Sequence, residues 1–201
     1  MSSTRPRLAA PERRAAVLGC ACRVFARGSY RGTTTAEIAR EAGVTEPILY
    51  RHFESKRDLY LACLEETWRR LRARWDDAVA AEPDPADWIR AIAHAFFAAE
   101  RDRPIVSILW VQALAEASED AEIRRYMRRH MREVHAYVAD LTVRAQAEGG
   151  VLPDRDPHAE AWLFISLGLL KMISGRLGGL VEDDFPAIVA SRRRWLTGRS
   201  S

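Results

Sequence analysis

Apolar residues return every three or four positions along most of the chain, and no stretch alternates with period two, so the pattern predicts helices and no strand. The first helix starts near Pro11, buries Val17, Leu18, Ala21 and Phe25, and ends at Gly28. Thr34 can cap a second helix with Glu37 reaching back from three positions on; Ala39 suits a close helix crossing, and Gly43 supplies the positive φ of a tight turn. Thr45 is expected to cap a short third helix that tolerates Pro47 in its opening turn, packs through Val44 and Leu49, and ends near His52. Ser55 and Asp58 open a long fourth helix reaching about Ala81, ahead of Pro83 and Pro85. A fifth follows from about Ala86 to Glu100 and a sixth from near Pro104 to about Ala117. A seventh, the longest after the fourth, carries Ile123, Met127, His130, Val134, Val138 and Leu141 and stops at Gly149 and Gly150. An eighth from Pro157 to about Gly175 and a last from Phe185 to about Trp195 complete an all-α chain of about nine helices.

The second and third helices with Gly43 between them form a helix-turn-helix, whose brief second member reads as a recognition head. The motif begins at Thr34-Thr35, continues as Ile38-Ala39-x-x-Ala42-Gly43-Val44, and ends as Leu49-Tyr50-x-His52-Phe53-x-Ser55-Lys56 with Leu59 three residues on. Phe25, Gly28 and Tyr30 precede it. At these residues the chain resembles the tetracycline-repressor (TetR) family, over roughly its first quarter to third. The resemblance implies an all-helical, homodimeric transcription regulator: an N-terminal three-helix DNA-binding domain over residues 1–56, then a helical ligand-binding and dimerisation domain over 57–201. It also implies that Tyr50 and His52 face the DNA backbone, while Lys56 meets a phosphate at the N-terminus of the fourth helix. Base reading then falls to Thr45, Glu46, Pro47 and Arg51, and Thr34 can touch phosphate besides capping its helix. Glu46 departs from what a polyanion invites, since a carboxylate repels phosphate. It can accept a hydrogen bond from a cytosine amino group, or simply favour the positive end of its helix.

Charge separates the two ends. The chain carries a net +3, but residues 1–60 hold 11 basic and 6 acidic side chains, whereas the remainder holds 20 and 22. The positive balance therefore lies with the helix-turn-helix, where phosphate neutralisation needs it. Arg5 and Arg7 in the polar tail could follow a minor groove, or be an idle arm. The longest strongly apolar stretch, Ala161 to Leu170, is too short to cross a bilayer, and the sequence predicts a cytoplasmic, nucleoid-associated protein with no membrane partner.

The eighth helix is apolar nearly all round and must be covered on two sides, one by its own core and one by a second subunit. Leu163, Leu167 and Leu170 are the apolar candidates for that interface, with Gly168 permitting close approach. By resemblance the last two helices of each subunit form a four-helix bundle. Ligand-lining candidates are Phe96, Trp110, Gln112, Tyr126, His130 and Trp162. His130 and Gln112 interrupt apolar stripes, and a buried polar side chain needs a partner, whether a ligand or a neighbouring carbonyl. Such a lining suits a mostly apolar small-molecule inducer; the operator would be a pseudo-palindromic double-stranded DNA.

Two other classes compete. An enzyme would rest on His130-x-x-Glu133 with His135, but a helical metal pair needs histidines four apart, and these are five apart. No nucleophile elbow or glycine loop is present, and neither catalytic residues, metal nor cofactor is expected. Cys20, Cys22 and Cys63 read as buried thiols. A helical interaction module without DNA would leave the basic N-terminal domain and the run from Tyr50 to Lys56 unexplained.

Overall fold

In a computed structural model, residues 10–100 and 104–199 are described. Among them are nine α-helices and no strand: α1 (Ala10–Arg27), α2 (Thr35–Ala42), α3 (Glu46–Tyr50), α4 (Lys56–Ala81), α5 (Trp88–Glu100), α6 (Ile105–Glu116), α7 (Ala121–Ala147), α8 (Pro157–Arg176) and α9 (Phe185–Thr197). Arg5 and Arg7 lie outside the described residues.

Local chemistry accounts for most boundaries. Thr34 Oγ1 accepts from the Glu37 amide at 3.2 Å and caps α2. Ser55 Oγ accepts from the Asp58 amide at 3.0 Å and so occupies an early donor of α4, while the Asp58 carboxylate reaches back to accept from the Glu54 amide, just before the helix, at 3.0 Å. Asp156 caps α8 through the amides of His158 and Ala159. Three expectations need correcting. Thr45 precedes α3 but makes no side-chain cap bond. A 3₁₀ turn, Pro85–Asp87, capped by Asp84, replaces the expected first turn of α5. Finally α7, with 27 residues, is longer than α4, with 26.

The described residues pack as two compact units, 10–70 with 104–126 and 71–100 with 127–199. In the first, Val17, Phe25, Ile38, Leu49, Phe53, Leu59 and Leu109 are almost wholly buried. Tyr60 joins them through an edge-on contact with Phe25 at 5.0 Å, and its hydroxyl donates to the Leu109 carbonyl at 2.7 Å, which allows a phenol in the core. Burial pushes the Tyr60 pKa up. Cys20, Cys22 and Cys63 are free, buried thiols.

In the second unit Trp75 packs edge-on against Phe164 at 5.8 Å, and Val79, Val138, Leu141 and Ile165 are buried. The α7–α8 link meets the 3₁₀ turn before α5 so closely that a Cβ on Gly150 would lie 2.4 Å from the Ala86 nitrogen, which excludes any side chain there. Asp87 accepts from Arg193 of α9 at 2.7 Å and from Arg90 at 2.9 Å, and the two guanidinium groups hold its carboxyl well below the usual range.

Candidate nucleic-acid interface and regulatory residues

Between α2 and α3 the chain reverses at Gly43, whose φ of 67° is open to glycine at no steric cost. Its amide bonds the Arg40 carbonyl at 3.2 Å, and the Val44 amide bonds that of Ala39 at 2.9 Å. Ile38 and Leu49, both fully buried, lock the pair together, so the opposite side of this motif is presented outward. There Thr34, Thr45, Pro47, Tyr50 and Arg51 are exposed, and Glu46 and His52 half-buried. Tyr50 is 47% exposed, which places its ring outside the core of the small domain.

Two groups on α3 meet one group on α2. Thr35 Oγ1 donates to Glu46 Oε1 at 2.6 Å and lies 3.1 Å from the Tyr50 hydroxyl. Glu46 and Tyr50 are four residues apart and so share one face of α3. The bonding of Thr35 has no signature in the linear sequence, because its partners lie 11 and 15 residues away and no local spacing announces them.

Lys56, at the start of α4, donates to the Arg31 carbonyl at 3.1 Å and sits 4.9 Å from the centre of the Tyr30 ring. Partial burial lowers its pKa. Arg31 is ion-paired to Glu116 at 2.9 Å and to Glu119, and Arg57 to Asp120 at 3.1 Å and to Glu122 at 2.5 Å. The loop before α2 and the start of α4 are thereby tied to the α6–α7 corner within the first unit. Neither arginine was legible as a tether, since the acids are more than sixty residues distant.

The ligand candidates are divided between the units. In the first, Gln112 Nε2 donates to the carbonyls of Phe25 at 3.2 Å and Gly28 at 3.0 Å, closing the C-terminus of α1. Trp110 is half-buried and Tyr126 buried. In the second, His130 is buried, and burial together with the Arg129 charge pushes its pKa down to about 4. Phe96 packs edge-on against Phe97 at 5.1 Å. Trp162 is 47% exposed, its ring 4.6 Å from that of His135, and His135 stacks on His158 at 5.3 Å. Among the described residues no cluster of three or more His, Cys, Asp or Glu side chains could hold a metal ion.

On α8, Leu163 is exposed, and Leu167, Gly168 and Leu170 are half-buried. Trp162 and Ile173 on the same helix and Leu177 and Leu180 beyond it are also exposed. A Cβ on Gly168 would meet nothing within 4 Å, so no neighbour within the chain requires glycine there. Among the described residues no helix is long and apolar enough to cross a membrane.

Residues 17–63 match the model of bacterial regulatory proteins of the TetR family, and residues 85–168 that of the BetI-type transcriptional repressor C-terminal region. The chain belongs to the TetR family. It is 32% identical over 120 residues to the HTH-type transcriptional regulator BetI of Rhizobium meliloti, covering 58% of each chain. It is 40% identical over 91 residues to the HTH-type transcriptional activator FasR of Mycolicibacterium smegmatis, covering 45% of this chain and 42% of that one. The aligned stretches thus span about half the length of these relatives. Among solved structures, a TetR-family transcriptional regulator from Streptomyces coelicolor superposes with a TM-score of 0.78 at 28% identity, over 93% of this chain and 97% of the other. A transcriptional regulator from Saccharomonospora viridis, solved in complex with choline, superposes with a TM-score of 0.71 at 22% identity, over 86% and 91% of the two chains, and shares the fold. The relatives in this family are transcriptional regulators, not enzymes.

Proposed function

We propose that this protein is a sequence-specific, homodimeric DNA-binding transcriptional regulator, a repressor released from its operator by a small molecule. The observation that carries the DNA-binding part is the outward side of the α2–Gly43–α3 motif, where Thr34, Thr45, Pro47, Tyr50 and Arg51 stand exposed over a core sealed by Ile38 and Leu49. Each α3 enters a major groove, and the two copies lie about one helical turn or somewhat more apart on a pseudo-palindrome. Tyr50, His52 and Lys56 meet the backbone, with Lys56 exchanging its Arg31 carbonyl for a phosphate oxygen, while Thr45, Glu46, Pro47 and Arg51 meet base edges.

Dimerisation is supported by the apolar side chains that α8 leaves in water, Trp162, Leu163 and Ile173, and by a glycine at position 168 that nothing in its own chain requires. The repressor sense is supported by the BetI-type repressor model over residues 85–168. Residues 57–201 carry ligand binding and dimerisation; the inducer is a mostly apolar small molecule. It favours a conformation in which α4 swings and the two α3 helices no longer match the groove spacing. The test is selection of duplex DNA from a random library, followed by titration of the selected site against the dimer measured by sedimentation. Absence of an enriched sequence overturns the reading.

A further inference from the structure

We propose that Thr35 is a positioning residue for sequence recognition: it holds the Glu46 carboxylate so that each half-site of the operator must present a cytosine to α3. The inference rests on the DNA-binding reading above. Its basis is the balance of protons among three oxygen groups. An ionised carboxylate only accepts, so the single Thr35 proton is committed to Glu46, and the 2.6 Å separation is that of a charge-assisted bond. With that proton spent, Thr35 Oγ1 can only accept from Tyr50, at 3.1 Å. In the DNA-free protein the chain therefore runs from the Tyr50 hydroxyl to Thr35 and from Thr35 to Glu46.

Two consequences follow. Glu46 Oε1 is occupied, and the second carboxylate oxygen is the acceptor that a base can approach. A carboxylate acceptor selects an exocyclic amino group, which in the major groove is that of cytosine or adenine. Adenine sets its N7 acceptor beside the amino group, where it repels a carboxylate; cytosine carries no acceptor on its own edge, and is selected. Tyr50 can also turn its hydroxyl from Thr35 to a phosphate without releasing Glu46, because the Thr35–Glu46 bond uses the other proton. Backbone affinity and base choice are thus separable on one short helix.

The experiment selects duplex DNA from a random library with the full chain, then measures affinity by fluorescence anisotropy for sites carrying each of the four bases at every selected position. For the native protein, replacing one cytosine in each half-site is expected to weaken binding about tenfold to a hundredfold per half-site. Thr35→Val should shrink that ratio to about threefold or less, since the carboxylate loses its hold, and Thr35→Ser should restore it. Glu46→Gln should select adenine at the same position, and Tyr50→Phe should lower affinity for all four bases alike. A merely structural Thr35 would alter melting temperature and leave the base ratio where it was. An unchanged ratio in Thr35→Val, or an unchanged selected base in Glu46→Gln, overturns the proposal. A native chain that enriches no sequence overturns the DNA-binding reading itself, and this inference with it.

Discussion

The outward sides of α3 and α8 are exposed in different ways. On and beside α3 the exposed side chains are Thr45, Pro47, Tyr50 and Arg51, and their hydroxyl and guanidinium groups are ones that water satisfies until a phosphate or base replaces it. Helix α8 shows solvent indole and aliphatic side chains, Trp162, Leu163 and Ile173, which water does not satisfy. The first surface fits a transient, salt-sensitive partner; the second fits a permanent apolar one. Burying three such side chains contributes about 2 kcal/mol each, before the entropy of association is subtracted.

The largest effect expected to break this contrast is a charge placed on the apolar side. Leu167→Asp should give monomers or unfolded protein in sedimentation, because an uncompensated buried carboxylate costs at least several kcal/mol. An intact dimer would move the interface away from α8. Next comes salt. If about six phosphates are neutralised per dimer, log affinity should fall with log salt with a slope of about −5, close to a thousandfold between 50 and 200 mM. Dimerisation through α8 should barely respond over the same range, and a flat DNA response would remove the distinction between the two surfaces.

A third test concerns the interior of the second unit. His130 is neutral in the folded protein down to about pH 4, whereas in the unfolded chain it takes a proton near its ordinary value of 6.5. The unfolded state therefore binds the extra proton between these values. Stability should fall as pH drops from about 6.5 towards 4, by up to about 3 kcal/mol, and level off below. Denaturant titrations of the native chain and His130→Leu should differ in this window, the variant lacking that part of the slope. If His130 also lines the ligand site, His130→Leu will weaken the ligand response while leaving operator affinity without ligand nearly unchanged. The smallest expected effect is Gly43→Ala, where a Cβ in the left-handed region costs about 1–2 kcal/mol. Nothing lies within 4 Å of the added carbon, so the cost is conformational alone. Melting temperature should drop by a few degrees with DNA selectivity retained.

Much of the DNA-facing motif was legible because its determinants are local. A glycine at position 43, a threonine cap at 34 and apolar residues at 38 and 49 act over a turn or less of chain, and the structure forms them as their spacing predicts. Thr45 shows the limit of that logic: a good capping residue at the right position made no cap bond. Gln112 shows another limit. As an interruption in an apolar stripe it suggested a need for a partner, and its amide protons go to backbone carbonyls more than eighty residues away.

Composition and period by themselves determined the class of this protein: an all-α chain, basic at its N-terminal end, with a helix-turn-helix in its first third and one helix too apolar to stand alone. These properties follow from steric limits on φ and ψ and from the 3.6-residue repeat, which act between neighbours in sequence. Tertiary structure alone decided that Thr35 holds Glu46, that Arg31 and Arg57 pair with the α6–α7 corner, and that the first unit takes in α6. Such pairings depend on which side chains come within hydrogen-bond reach once the helices have packed. That depends on the filling of the core between them, and a linear pattern of apolar and polar positions does not encode those distances.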